Sequence, residues 1–287
     1  MAYDFKTLEV LIDQGVAFTT IECPPCNVMG AVLFDELSRF TEEVAVDNEV
    51  RVVVMQSADP DFFIAHFDLE ILLQMDITQE PRLQSELHPF HVMCENMRTM
   101  PKATIAKITG RVGGGGSEFA SSCDMRYGVV GNTQVNQMEV GLGISPGGTG
   151  TQRLPRLLGR GRALEVILGS ASIDAETLFA WGYLNRIFQA DEIDDFVDNF
   201  ARRIASFPST SIALAKQSVN NAELPLHEGL LKEALIAEQS VATNDAQERL
   251  KMAMALGAQT REKEMDIDQL CLDVGLALVN EVETPTH

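Results

Sequence analysis

Four consecutive glycines, Gly113–Gly116, constrain this chain more than any other feature. They follow a β-branched apolar run, Ala103–Ile108, and precede a segment of helical character, Glu118–Cys123. Glycine permits close approaches that a Cβ forbids. A helix N-terminus offers free N–H groups and the positive end of a dipole. Strand, glycine run and helix together suit an anion, or a carbonyl oxygen that becomes one during a reaction. A flexible turn is the alternative for the run taken alone. It is not a P-loop, since no Gly-Lys-Ser/Thr follows, nor is it the Gly-x-Gly-x-x-Gly dinucleotide fingerprint.

A second glycine-rich turn lies downstream. Glu139 precedes Gly141, Gly143 and Pro146-Gly147-Gly148-Thr149-Gly150, which lead into a helical stretch from Thr151. Two carboxylates beside two such turns make the pattern of an acid/base pair facing an oxyanion pocket. Taken alone, Glu139 reads equally as a solvated loop residue.

The remaining chain alternates strand and helix. Leu8–Ile12 and Val16–Ile21 read as a hairpin turning at Asp13-Gln14-Gly15. Val32, Leu33, Leu37, Phe40 and Val44 give a helical period over about 29–46. Arg51–Met55 reads as a buried strand, 82–100 as a second long helix and 103–108 as another strand. This alternation predicts an α/β fold with parallel pairing. Helical signals resume at 151–158, 162–169 and 174–181, followed by a last strand at 183–188. Beyond it, 191–206, 210–221 and 227–258 read as helical, so a boundary near Ala190 divides a core, 1–190, from a helical region, 191–287. The tail 281–287 is expected to fray.

Composition excludes several functions. Hydrophobic residues at 45% and charged residues at 22% of 287 fit a globular chain and not a disordered one. No apolar run approaches ~18 residues. Met1–Lys6 lacks the basic and apolar regions of a signal peptide, so no membrane association is expected. Lys+Arg 22 against Asp+Glu 42 leaves −20, which disfavours nucleic acid and demands a local cationic patch for any phosphate-rich ligand. Five scattered cysteines point to a reducing cytoplasm.

Cys23-Pro24-Pro25-Cys26 follows a hairpin strand, does not open a helix and has no second pair to complete a zinc site, so a structural loop is expected. His91 and Glu95 stand one turn apart. Pro89 disturbs the geometry of His88, so pocket lining or plain surface is preferred to a metal site. Trp181, Met93, Met97 and Met100 read as core or pocket packing. No metal or redox cofactor is implied.

The two glycine-rich segments resemble the crotonase superfamily, the enoyl-CoA hydratase/isomerase group. Thr109-Gly110, Gly114-Gly115-Gly116, Glu118 and Cys123-Asp124 carry the first part of the pattern. Met138-Glu139, Gly143, Pro146-Gly147 and Thr151-Gln152-Arg153-Leu154 carry the second, with Leu158-Gly159, Leu168-Gly169, Ala175 and Gly182–Arg186 continuing it. The resemblance spans roughly 8–255. It implies a crotonase-like spiral of ββα turns with an α-helical C-terminal oligomerisation region, assembling as a homotrimer or dimer of trimers. It implies oxyanion-hole N–H groups from Gly115 and from Phe67. The latter is placed by aligning Phe63-Ile64-Ala65-His66-Phe67-Asp68-Leu69 with Phe-x-Ala-Gly-Ala-Asp-Leu. Glu118 and Glu139 become the acid/base pair that adds water to a 2-enoyl thioester. Ala65, His66, Asp68, Gly114 and Gly147 fall at substrate-binding positions, and coenzyme A enters only as part of the acyl-CoA substrate.

Two departures stand out. His66 replaces the usual glycine; it either projects into the pocket, where an imidazole titrates near neutral pH, or is an ordinary loop histidine. The loop Glu22–Asn27 lacks the family's basic residue, leaving Arg261 or Lys263 to serve a phosphate. An enoyl-CoA isomerase or a β-diketone C–C hydrolase is therefore an alternative on the same fold. A non-catalytic interaction protein is a second alternative, against which the retained Glu118, Glu139 and Gly115 argue.

Overall fold

The hairpin forms where the sequence turns. β1 (Leu8–Asp13) and β2 (Val16–Ile21) are antiparallel and joined by Gln14 and Gly15, both at positive φ, 47° and 82°. Such a two-residue turn matches the natural twist of the strands it joins. The computed structural model describes residues 3–78, 80 and 82–283, with side chains as far as 279.

In chain order there follow α1 (Ala31–Val46), β3 (Val52–Ser57), β4 (Phe62–Ile64), α2 (Leu69–Leu73), α3 (Pro89–Thr99), β5 (Ala103–Ile108), β6 (Arg111–Gly113), α4 (Gly114–Ala120), β7 (Met125–Val129) and β8 (Gln134–Asn136). Then come α5 (Gly150–Leu158), α6 (Arg160–Gly169), β9 (Ile173–Asp174), α7 (Ala175–Trp181) and β10 (Arg186–Phe188). The rest is helical: α8 (Ile193–Ala205), α9 (Ser209–Asn220), α10 (Leu226–Val241), α11 (Asn244–Ala255), α12 (Arg261–Glu264) and α13 (Ile267–Glu283).

Two sheets result. The larger runs β1-β2-β3-β5-β7-β10 and is parallel from β2 onward. The smaller runs β4-β6-β8-β9, antiparallel only at β9. Strands that alternate between the sheets wind the chain into repeated ββα turns. Leu33, Leu37, Phe40 and Val44 of α1 are buried at helical spacing, and Met93, Met97 and Met100 from α3 and its C-cap join the same core. Trp181 packs at its edge. α8 seals the other face of the large sheet, with Ile193, Val197, Ala201 and Ala205 against Val16, Val52, Val54 and Ile105. The helical region therefore begins as part of the sheet's own core. Among the described residues, no helix is long and apolar enough to cross a membrane.

Three of the differences from the sequence expectation have a plain physical cause. α3 starts at Pro89, not near 82: proline suits the first helical position, the residue before it avoids helical angles, and His88 caps the helix by accepting from Phe90 N–H. The 227–258 helix is broken in two, because Thr243 caps a new helix by accepting from Ala246 N–H. α4 begins at Gly114 and takes in three of the four glycines, although glycine is a poor helix former. Close packing decides this: a Cβ on Gly116 would lie 2.5 Å from the Ile64 carbonyl oxygen. Of the tail expected to fray, 281–283 instead close α13, and 284–287 lie outside the described residues.

Candidate active site

The site begins with a loop that the hairpin delivers. Asn27 sits at φ 52°, buried, and its side chain ties the loop together. Its Oδ1 accepts from Cys23 N–H at 2.7 Å, while Nδ2 donates to Ser57 Oγ, Phe62 O and Phe63 O at 2.8–3.2 Å. Cys23 and Cys26 are free thiols in this loop. Beyond it, Met29 N–H donates to His66 O at 2.8 Å and Asp68 N–H donates to Met29 O at 3.1 Å. These two bonds bracket Phe67 in a parallel bridge. The geometry of such a bridge turns Phe67's own N–H and C=O to the opposite side.

That side faces α4. A Cβ on Gly115 would lie 3.0 Å from Phe67 Cβ, so the two residues are in contact. Gly115 occupies the first turn of α4, where N–H groups have no intrahelical acceptor. The rings of Phe34, Phe67 and Phe90 pack together with centroids 5.8–6.1 Å apart, giving this end an apolar wall.

Glu118, one helical turn after Gly115, is buried at 3% exposure. Its Oε1 accepts from Gly148 N–H at 2.8 Å and Gly150 N–H at 2.7 Å. Burial pushes its carboxyl up to about 7, the nearby Glu139 adds to this, and the loop N–H groups oppose it. Glu139 precedes a single 3₁₀ turn, Val140–Leu142. Burial raises its carboxyl too, offset in part by His66. Gln137 sits between the two acids. Its Nε2 lies 3.4 Å from Glu139 Oε2, and both Nε2 and Glu118 Oε1 press against Gly150. Gln137 Oε1 is buried and unpartnered.

Glu118, Glu139, Gly114, Gly115, His66 and Phe67 are thus brought together. Gly114 stands between Glu139 and His66: a Cβ there would be 3.0 Å from Glu139 Oε1 and 3.4 Å from His66 Cβ. His66 Nδ1 bonds Phe67 O at 2.8 Å. Ala65 donates its N–H to Cys26 O at 3.3 Å. Asp68 caps α2 by accepting from Glu70 N–H. The Gly147 carbonyl is engaged by His91 Nε2 at 2.7 Å. Arg261 and Lys263 lie on α12, which packs on α13. Glu95 pairs with Arg98 and Arg153, and among the described residues no three His, Cys, Asp or Glu side chains converge as metal ligands. Sequence reasoning missed Gln137, Phe34 and the N–H groups of Gly148 and Gly150. The last two had a signal in the glycine cluster before Thr151; a glutamine two residues before Glu139 carried none.

Alternating strands of two sheets, a glycine-opened helix between them and a paired buried carboxylate define a crotonase-type enzyme fold. Residues 11–258 match the Enoyl-CoA hydratase/isomerase family. The chain is 32% identical over 213 residues to the short-chain-enoyl-CoA hydratase of Clostridium acetobutylicum, covering 74% of this chain and 80% of that one. It is 30% identical to the crotonyl-CoA hydratase of Syntrophomonas wolfei, covering 77% and 83%. The crystal structure of enoyl-CoA hydratase from Bacillus anthracis superposes with a TM-score of 0.79 at 26% identity, covering 88% of this chain and 97% of that one. This chain belongs to the enoyl-CoA hydratase/isomerase family.

Proposed function

We propose that this protein adds water across the double bond of a 2-enoyl-CoA thioester, with Glu118 and Glu139 as its acid/base pair. The observation that carries the proposal is the pairing of two buried carboxylates, both raised, beside backbone N–H groups on the facing Phe67 and Gly115 segments. Two adjacent buried acids hold one proton between them more readily than none. Two N–H bonds favour the ionised form of Glu118. In this reading Glu118, ionised and held by those bonds, takes a proton from water as the water oxygen bonds to C3. The π electrons move toward the thioester carbonyl, whose developing charge is held by Phe67 and Gly115 N–H. Glu139 delivers its proton to C2 as the enolate collapses. Transfer of the captured proton from Glu118 to Glu139 resets the pair. The Phe34, Phe67 and Phe90 wall suits the acyl chain.

His66 beside Glu139 supports a second reading, a β-diketone C–C hydrolase or an isomerase without the hydration step. The protein is also read as cytoplasmic, and as a homotrimer or dimer of trimers. Leu226, Leu230, Leu231 and Leu235, exposed along α10, support the assembly.

The deciding experiment titrates crotonyl-CoA calorimetrically and follows loss of the enoyl absorbance. Binding with turnover is expected. Binding without turnover overturns hydration in favour of isomerisation. No binding overturns the thioester substrate and favours the diketone.

A further inference from the structure

The peptide unit joining Gly147 to Gly148 carries two hydrogen bonds of opposite sense. Its N–H donates to Glu118 Oε1 at 2.8 Å, and its C=O takes the Nε2 of His91 at 2.7 Å. A donor on the carbonyl polarises the amide and strengthens the bond made by its N–H. His91 reaches this carbonyl because α3 is locked onto the loop one residue earlier: a Cβ on Gly148 would lie 2.6 Å from Phe90 Cε1. α3 is itself started by Pro89 and capped by His88.

We propose that His91 is a positioning residue for Glu118, acting through the Gly147–Gly148 peptide. The inference rests on the reading of Glu118 as an acid/base group; the hydrogen-bonded chain from His91 to Glu118 stands on its own geometry. Because the Gly147 carbonyl can only accept, His91 Nε2 carries the proton. The bond persists whether the ring is neutral or protonated, and it is stronger when protonated. The His88 ring lies 6.1 Å away, and Glu95 is one turn on in α3, already paired with Arg98 and with Arg153 of α5. On the far side of the peptide stand Glu118 and Glu139. His91 thus fixes which way the peptide points and keeps the Gly148 N–H on the carboxylate oxygen.

The test reads Glu118 directly and needs no substrate. Full-length protein labelled with [δ-13C]glutamate is titrated by NMR, with Glu118→Gln assigning the resonance. His91→Leu is expected to raise the Glu118 midpoint by roughly half a pH unit, as the ionised form loses part of its hydrogen bonding. His91→Gln, which still carries a donor at about the Nε2 position, is expected to restore most of it. An unmoved midpoint in folded His91→Leu overturns the proposal, as does an equal displacement in both variants. Should His91→Leu fail to fold, His91→Asn takes its place, since its amide is too short to span to Gly147. A protein inert toward crotonyl-CoA that still shows the displacement would overturn the hydratase reading and leave the clamp standing.

Discussion

Gly148 gives its N–H to Glu118 Oε1 at 2.8 Å and leaves no space for a side chain beside the second carboxylate oxygen. A Cβ there would overlap Glu118 Oε2 and would lie 2.6 Å from Phe90 Cε1 and 2.8 Å from Phe90 Cδ1. Both neighbours are buried, so neither can swing away into solvent. Gly148→Ala is expected to displace the carboxylate and lower kcat on the order of 100-fold. Overpacking should remove about 1–3 kcal/mol of stability. Turnover and urea denaturation of the same preparation check both.

The raised carboxyl of Glu118 also makes a stability prediction with a definite sign. In the unfolded chain it titrates near 4.5, as an ordinary glutamate does, and in the folded protein at about 7. Between those values the folded state binds more protons, so this group lowers stability as pH rises and its effect levels off above about 7. The full penalty is on the order of 3 kcal/mol. Glu118→Gln escapes it. The variant should be nearly as stable as the parent at pH 5 and more stable at pH 8, while losing about 100-fold or more in turnover. Urea midpoints at the two pH values measure the difference.

Asn27 is the third site of interest, because its side chain makes four hydrogen bonds at 2.7–3.2 Å from a backbone held at φ 52°. Alanine loses the bonds and tolerates the backbone less well. Asn27→Ala is expected to destabilise the protein by about 2–4 kcal/mol. It should also weaken activity, since the loop it organises holds Ala65 and brackets Phe67. Asn27→Asp should remain defective, because a carboxylate cannot donate to the carbonyls of Phe62 and Phe63.

Much of this was legible because period and burial agree. The hairpin showed as two β-rich runs around a turn and α1 by its helical spacing, while β3 and β5, buried on both faces, showed as short continuous apolar runs. The joint glycine-and-glutamate pattern likewise marked Glu118 and Glu139. β4, β6 and β8 have three residues each and β9 two, too few for any period to register. Only the first turn of α4 was masked, by glycine's poor helix propensity, which contact with Ile64 overrides. His91 looked like a surface or pocket residue because its partner, the Gly147 carbonyl, is 56 residues away and belongs to the backbone. Backbone partners leave no mark in a side-chain pattern.

The thiols offer a simple check of the loop at Cys23. Cys94 and Cys123 are buried in the core and pushed up to about 12, so they present almost no thiolate at neutral pH. Cys271 is exposed, while Cys23 and Cys26 are half-buried. Titration of native protein with DTNB should show one fast thiol, two slower ones and two that react only on unfolding. Loss of Cys23 and Cys26 from the reduced count would indicate a disulfide and overturn the free-thiol loop.

Along α10, Leu226 and Leu230 are 78% and 53% exposed, and Leu231 and Leu235 are 61% and 54% exposed. At 100° per residue these pairs lie on two well-separated sides of the helix. A helix apolar on more than one side calls for more than one contact. Burying each leucine would contribute about 1.5–3 kcal/mol. Light scattering of the purified protein should therefore give the mass of three or six protomers. Leu231→Glu should weaken the association at least about 100-fold, placing a charge where apolar surface is buried. Glu118 and its loop lie on other elements, so the variant's far-ultraviolet spectrum should stay that of a folded protein. A parent protein that stays monomeric at high concentration would remove the assembly from the proposed function and leave the chemistry of the site untouched.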